Sequence, residues 1–70
     1  MTKLEQLAEL EGMEELEMLE AATWDNVAAG ICTTPGCDYT TPVEPDCDGG
    51  WCELCDKGTV SSCLVLAGLI

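Results

Sequence analysis

Apolar residues in the first part of the chain recur at Leu4, Leu7, Leu10, Met13, Leu16 and Leu19, and most positions between them are Glu. That alternation, almost free of turn formers, predicts helix. A strict step of three falls short of the 3.6-residue turn, so the stripe slips around the helix axis by about 60° per step. Thr2 and Glu5 form a capping box, in which each side chain satisfies a helix N–H that would otherwise lack a partner. Gly12 interrupts the pattern, at a cost of about 1 kcal/mol relative to Ala inside a helix. The pattern predicts two short helices with a break near Gly12, or one helix bent there. The second runs from Met13 to about Ala22, where Met18 and Ala22 add to the Leu19 side.

The pattern changes at Thr23. Six of the seven Gly, all three Pro and all six Cys lie in residues 23–70. Gly30 to Cys37 reads as a short strand entering a turn at Pro35-Gly36. Asp38 to Val43, with Tyr39 and β-branched neighbours, returns as a strand. Residues 45–50 read as loop, Trp51 begins a further strand, and Cys52 to Gly58 is a second tight turn. Every residue from Cys63 to Ile70 is apolar or Gly, a run far short of the roughly 20 residues that cross a bilayer. Thr59, Ser61 or Ser62 would cap a short helix there, whereas Val and Ile permit a strand; periodicity leaves both open for 61–70. Such a segment needs cover: from the apolar face of the N-terminal helices within one compact unit, from a second copy in a homodimer, or from a larger partner. Trp24, Tyr39 and Trp51 are expected in the core or packed on hairpins; an exposed Trp51 would be an interface anchor.

Size and charge narrow the function classes. At 70 residues a hydrophobic core alone gives marginal stability, so a disulfide, metal or partner is expected to staple the fold. Fourteen Asp and Glu against two Lys, Lys3 and Lys57, give a formal net charge of −12. Direct binding to nucleic acid is excluded on that balance, since phosphate affinity comes from Lys and Arg. There is no His for general-base work and no Gly-rich phosphate loop carrying Lys, so no enzyme is expected. The first residues lack the basic start and apolar stretch of a secretory signal. A cytoplasmic setting with reduced thiols is therefore expected, with no membrane association, and there six Cys point to metal before disulfides.

The cysteine spacing is the most specific signal. Cys32-x4-Cys37, fourteen residues, then Cys52-x2-Cys55 fits the paired-turn pattern of a four-thiolate zinc site. A short turn between two Cys aims both sulfurs at one point, and two such turns complete a tetrahedron. Over residues 31–60 the chain resembles the zinc-ribbon class, in which two knuckles clamp one structural zinc. Two departures stand out: the wider first knuckle, and Asp56 directly after Cys55, where many members have Gly. Rubredoxin-like iron sites also use four Cys, but nothing else in the chain speaks for electron transfer, and zinc ranks first. Four protein thiolates leave no open position for a catalytic water. Lys57, close to Cys55, would help offset the charge of the centre. Cys47 is the alternative ligand, five residues before Cys52; Cys63 reads as a small buried hydrophobe.

The expected fold class is small α+β. An acidic amphipathic helix or helix pair over 1–22 precedes a zinc ribbon of short antiparallel hairpins with an apolar tail over 23–70. The expected function is that of a protein-binding accessory or regulatory factor whose zinc is structural. Its acidic helices or ribbon face would meet a protein with a basic surface, such as nucleic-acid machinery. The seven Glu before residue 23 also suit a plain solvated helix face. A second reading comes from layout. An acidic Leu/Glu-rich front, an Ala28-Ala29-Gly30 junction and a Cys/Ser/Thr-rich back look like a ribosomally made peptide precursor, and Cys32-Thr33-Thr34-Pro35-Gly36-Cys37 is similar to the ring-forming segment of lanthipeptides. That resemblance implies a leader read by a modifying enzyme, with Thr33, Thr34, Thr40, Thr41, Ser61 and Ser62 dehydrated and trapped by thiols. The six acidic residues from Asp38 to Asp56 speak against it.

Overall fold

A computed structural model describes residues 2–70; Met1, part of the expected acidic segment, lies outside the described residues. Helices α1 (Lys3–Glu11) and α2 (Glu15–Trp24) precede strands β1 (Ala28–Cys32), β2 (Thr40–Val43), β3 (Asp48–Cys52) and β4 (Lys57–Ser62), and a one-turn helix α3 (Cys63–Leu66) follows. The strands form one antiparallel sheet in the order β2-β1-β4-β3. The chain is thus a small α+β unit, helices first. No helix among the described residues is long and apolar enough to cross a membrane.

Local chemistry accounts for the helix ends. Thr2 caps α1, accepting from the Glu5 N–H while the Glu5 carboxylate accepts from the Thr2 N–H, an arrangement that stabilises by about 1 kcal/mol. The bond from the Thr2 N–H, and after it the Thr2 hydroxyl, holds the Glu5 carboxyl below its usual range. The break falls at Gly12, which adopts φ 70°. Its N–H reaches Glu9 and that of Met13 reaches Ala8, the two bonds of a Schellman stop, which needs a left-handed residue there. Helix α2 starts at Glu15 and ends at Trp24, two residues later at each end than expected. Glu14 caps it by backbone alone, and Asp and Glu in a first turn suit the helix dipole.

The slip in the hydrophobic stripe is visible in the burial. Leu7 is buried and Leu4, Met13 and Leu19 are half-buried, but Leu10 and Leu16 have rotated into solvent. In α2 the buried pair is Met18 and Ala22, four apart and hence on one face. These residues pack with Leu7, Ala8, Ala28, Ile31, Cys63 and Leu64 into the core beneath the helices. A second core holds Cys32, Cys52 and Val60, with Tyr39, Val43, Cys37 and Cys55 packed against it. Ile31 belongs to the first and its neighbour Cys32 to the second, as alternation along a strand requires.

Three expectations are corrected. Residues 48–50, expected as loop, belong to β3, whose pairing with β4 is broken by register shifts on either side of Gly50; two adjacent glycines hid the strand, and irregular pairing at Gly is where bulges form. Strand β4 was missed, because 57–62 reads as the end of a turn and the start of a tail, yet it lies centrally between β1 and β3. Trp24 and Trp51 are not core residues: they are 87% and 57% exposed. Trp24 ends α2 on its outer side, and Trp51 alternates with Cys52, whose side chain takes the buried face. Of the three aromatics only Tyr39 packs against a core.

The open alternatives for 61–70 resolve into both. Ser61 and Ser62 close β4, and Ser62 then caps α3, accepting from the Val65 N–H at 3.2 Å. Buried Ser62 is also held by its hydroxyl, which donates to the Pro45 carbonyl at 2.6 Å, and by its N–H, which donates to that of Cys47 at 2.9 Å. Cys63 and Leu64 are buried beneath the helices, whereas Leu69 and Ile70 are exposed. At the sheet edge, exposed Pro42 in β2 removes a donor facing solvent.

Gly30 sits where β1 runs closest to its neighbours. A Cβ there would lie 2.7 Å from Val43 Cγ2, 3.0 Å from Val60 Cγ1 and 3.2 Å from the Ser61 carbonyl oxygen. Val43 can rotate away, but the β4 backbone cannot move without disturbing the central pairing. Gly30→Ala is expected to destabilise by about 1–3 kcal/mol, read as a lower urea midpoint with unchanged slope.

Candidate metal centre

Two loops at one end of the sheet bring four thiols together. The first leaves β1 at Cys32. Thr34, Pro35, Gly36 and Cys37 form a turn closed by the Cys37 N–H on the Thr34 carbonyl at 3.1 Å, with Gly36 at φ 83°. Pro at the second position and a positive-φ Gly at the third are what a type II turn selects. The Cys32 N–H donates to the Tyr39 carbonyl at 2.9 Å, and the Thr33 N–H and hydroxyl both donate to the Thr59 carbonyl at 2.8 Å. The wide x4 spacing is therefore a pinned loop. The second loop joins β3 to β4. The Asp56 N–H closes it onto the Cys52 carbonyl at 2.8 Å, and the Cys55 N–H donates to Cys52 Sγ at 3.3 Å.

The sulfurs of Cys32, Cys37, Cys52 and Cys55 all lie within 4.8 Å of one another. Cys32 Sγ is 3.7 Å from Cys55 Sγ, and Cys37 Sγ is 3.8 Å from Cys52 Sγ. Both separations cross between the loops. A tetrahedron with metal–sulfur bonds of about 2.3 Å has edges of roughly 3.8 Å, which these two separations match; with all four sulfurs within 4.8 Å, the set could hold a metal ion. All six cysteines are free. Cys32 and Cys52 are buried, and Cys37 and Cys55 half-buried. Cys47 is outside the cluster, its Sγ 4.0 Å from the Val60 carbonyl oxygen. Cys63 lies in the core under the helices, where burial raises its thiol pKa.

Two thiols of the cluster are shifted in opposite directions. Burial would push the Cys32 thiol up, but hydrogen bonds from Thr34 and Thr59 outweigh it and bring the group down to about 5. Thr59 Oγ1 lies 3.0 Å from Cys32 Sγ and donates to it once the thiol is ionised. For Cys37 a backbone bond at Tyr39 pulls down; burial and the sulfurs of Cys32, Cys55 and Cys52 prevail and push it up to about 12. Cys32 thus gives up its proton readily, whereas Cys37, beside it, resists. A divalent ion at the centre removes that resistance, because each ligand binds as thiolate.

Asp56 occupies φ 58°, the one non-Gly positive φ among the described residues. The loop needs a left-handed residue there, which Gly would supply freely and Asp tolerates better than most side chains. Asp56→Gly is expected to stabilise the metal-loaded protein by up to about 1 kcal/mol, seen as a higher melting temperature with unchanged metal content.

Lys3 was not singled out from the sequence as part of this region. Its ammonium donates to the Cys37 carbonyl, and Gln6 Nε2 lies 3.5 Å from the same oxygen. The signal available was only that Lys3 is one of two cations; the contact spans 34 positions. Lys57 opens β4 in register with Cys52. Against protein-family models, curated proteins and solved structures the chain shows no match.

Proposed function

We propose that the chain is a zinc ribbon: Cys32, Cys37, Cys52 and Cys55 hold one structural Zn2+, and the protein acts by binding another protein rather than by catalysis. The observation that carries the metal assignment is the convergence of these four thiols from two separate loops. With all four tetrahedral positions taken by protein sulfur, no position remains for a substrate or a reactive water. Zinc is preferred to iron because a chain this small needs a staple and carries no other feature of electron transfer.

The partner reading rests on charge. All fourteen carboxylates are exposed, eight of them on or capping α1 and α2. Like charges along a helix repel, so a basic surface on a partner protein would relieve strain that solvent only screens. Exposed Trp51 and Trp24 offer apolar anchors of the kind that dominate interfaces. An accessory factor on nucleic-acid machinery suits this surface, the contact being to protein and not to phosphate. The precursor reading is disfavoured by the burial of Ser61 and Ser62 and by the bond from the Ser61 hydroxyl to Asp48 at 3.0 Å. These hydroxyls organise the fold instead of standing free for dehydration.

Native mass spectrometry of the purified chain, with and without chelator, tests the metal; one zinc per chain is expected. A metal-free mass carrying water losses would replace this reading with the precursor. Affinity capture repeated with Glu9, Glu15 and Glu17 changed together to Gln tests the surface. A partner that survives this substitution and high salt would rule out the acidic face.

A further inference from the structure

The chain's two cations both bracket the thiol cluster. Lys57 stands in register with Cys52 at the root of the second loop. Lys3, from the opening turn of α1, reaches the first loop. Its ammonium donates to the Cys37 carbonyl, and Gln6, one turn on and hence on the same helix face, approaches the same oxygen at 3.5 Å. Among fourteen exposed carboxylates, Lys3 is aimed at a carbonyl of the metal loop. That choice has a physical consequence. Four thiolates around a divalent ion carry a net charge of −2, and a cation held against the loop favours that loaded state over the neutral thiols. The same bond fixes the carbonyl of a ligand residue, as outer groups commonly do for metal ligands.

We propose that Lys3 is a positioning residue for the metal centre: by holding the Cys37 carbonyl it couples metal loading to the docking of α1. This rests on the structural-zinc reading above and extends it to the helices. Coupling between two equilibria is reciprocal. Whatever the docked helix contributes to metal affinity, the bound metal returns to the helix as tighter docking. The acidic surface of α1 is then presented in fixed register only by the loaded protein, which makes partner binding responsive to zinc.

The test is a competition titration of Zn2+ against a chromogenic chelator on the full chain and on Lys3→Met, Lys3→Gln and Lys3→Arg. It is paired with hydrogen exchange of the α1 amides in the Zn2+-saturated proteins. Lys3→Met is expected to weaken zinc binding roughly tenfold, the lower end for outer groups of metal sites. Lys3→Arg restores the affinity, and Lys3→Gln, which keeps a donor and loses the charge, falls between. Raising the salt to about 1 M, where the screening length shrinks to roughly 3 Å, narrows the gap between wild type and Lys3→Met. A merely structural contact would not respond in that way. Because metal removal is expected to unfold the sheet in both proteins, the comparison is made with both saturated with Zn2+, where the α1 amides are expected to exchange faster in Lys3→Met than in the wild type. Equal zinc affinity for wild type and Lys3→Met at low salt, with equal α1 protection in the two loaded proteins, overturns the coupling and leaves the zinc site standing. A wild-type chain that takes up no Zn2+ overturns the metal reading itself, which is a separate result. If Lys3→Met fails to fold, Gln6→Ala and Lys3→Arg carry the comparison: tighter or unchanged binding in Gln6→Ala together with weaker binding in Lys3→Arg also overturns it.

Discussion

Stripping the metal is expected to unfold the sheet outright. The core around the thiols contains Cys32, Cys52 and Val60, with only Tyr39 and Val43 beside the remaining two cysteines. Four of those seven residues are the proposed ligands, so without the ion this core has little apolar area to hold it together. Structural zinc supplies an apparent 10–16 kcal/mol or so in small domains, comparable with or above the 5–15 kcal/mol or so that holds a whole native domain together. The outcome to look for is loss of sheet signal in circular dichroism when a strong chelator is added under reducing conditions, and its return with Zn2+. Cys52→Ala is expected to do the same permanently, since Cys52 is fully buried, accepts from the Cys55 N–H and faces Cys37 across the cluster. Cys47→Ser, outside the cluster, is expected to leave one zinc per chain. Intact sheet signal in a verified metal-free protein would show that the hydrophobic packing suffices alone.

The parts legible in the sequence were those written in short-range chemistry. The capping box at Thr2 and Glu5, the stop at Gly12 and the turn at Pro35-Gly36 each involve residues within a few positions of one another, and each is where the pattern places it. The cysteine pair in each loop was legible for the same reason, whereas the meeting of the two loops spans 15 and 23 positions. What the sequence concealed depends on distance along the chain. Strand β4 becomes a strand because β1 lies on one side and β3 on the other; Thr59 and Val60 favour a strand, but Lys57, Gly58 and the two serines around them do not. The Gly49-Gly50 pair reads as loop because nothing local shows that β4 will pair with it through an irregular register. Lys3 and Cys37 meet across 34 positions. Large side chains mislead in the opposite direction: Trp24 and Trp51, expected in the core or packed on hairpins, are largely exposed, because a chain of this size has room for few bulky groups and its two cores are filled by Leu, Ile, Val, Met, Ala and Cys.

Leu7→Ala and Leu16→Ala are expected to differ by several kcal/mol, although both belong to the same three-step stripe. Nine residues separate them, which at 100° per residue is two and a half turns, so an unbroken helix would put them on opposite faces. The break at Gly12 re-aims α2, and there the buried positions are Met18 and Ala22. Leu7 is fully buried, within the core of Ala8, Met18, Ala22, Ile31 and Leu64, whereas Leu16 is 69% exposed. Truncating a buried Leu removes its transfer energy and leaves a cavity, about 2–5 kcal/mol together; truncating an exposed one changes stability by roughly 0.5 kcal/mol or less. For a domain of 60–100 residues, each kcal/mol moves the melting temperature by about 4–8 °C, so Leu7→Ala is expected to lower it by roughly 10 °C or more and Leu16→Ala by a few degrees at most. Zinc content separates the two cores in the same experiment. Leu7 touches no thiol of the cluster, so the variant is expected to keep one zinc per chain, with an affinity reduced only as far as looser α1 docking feeds back through Lys3. Equal effects from the two substitutions would mean that the helices do not pack on the sheet in solution, and would remove the basis for coupling them to the metal.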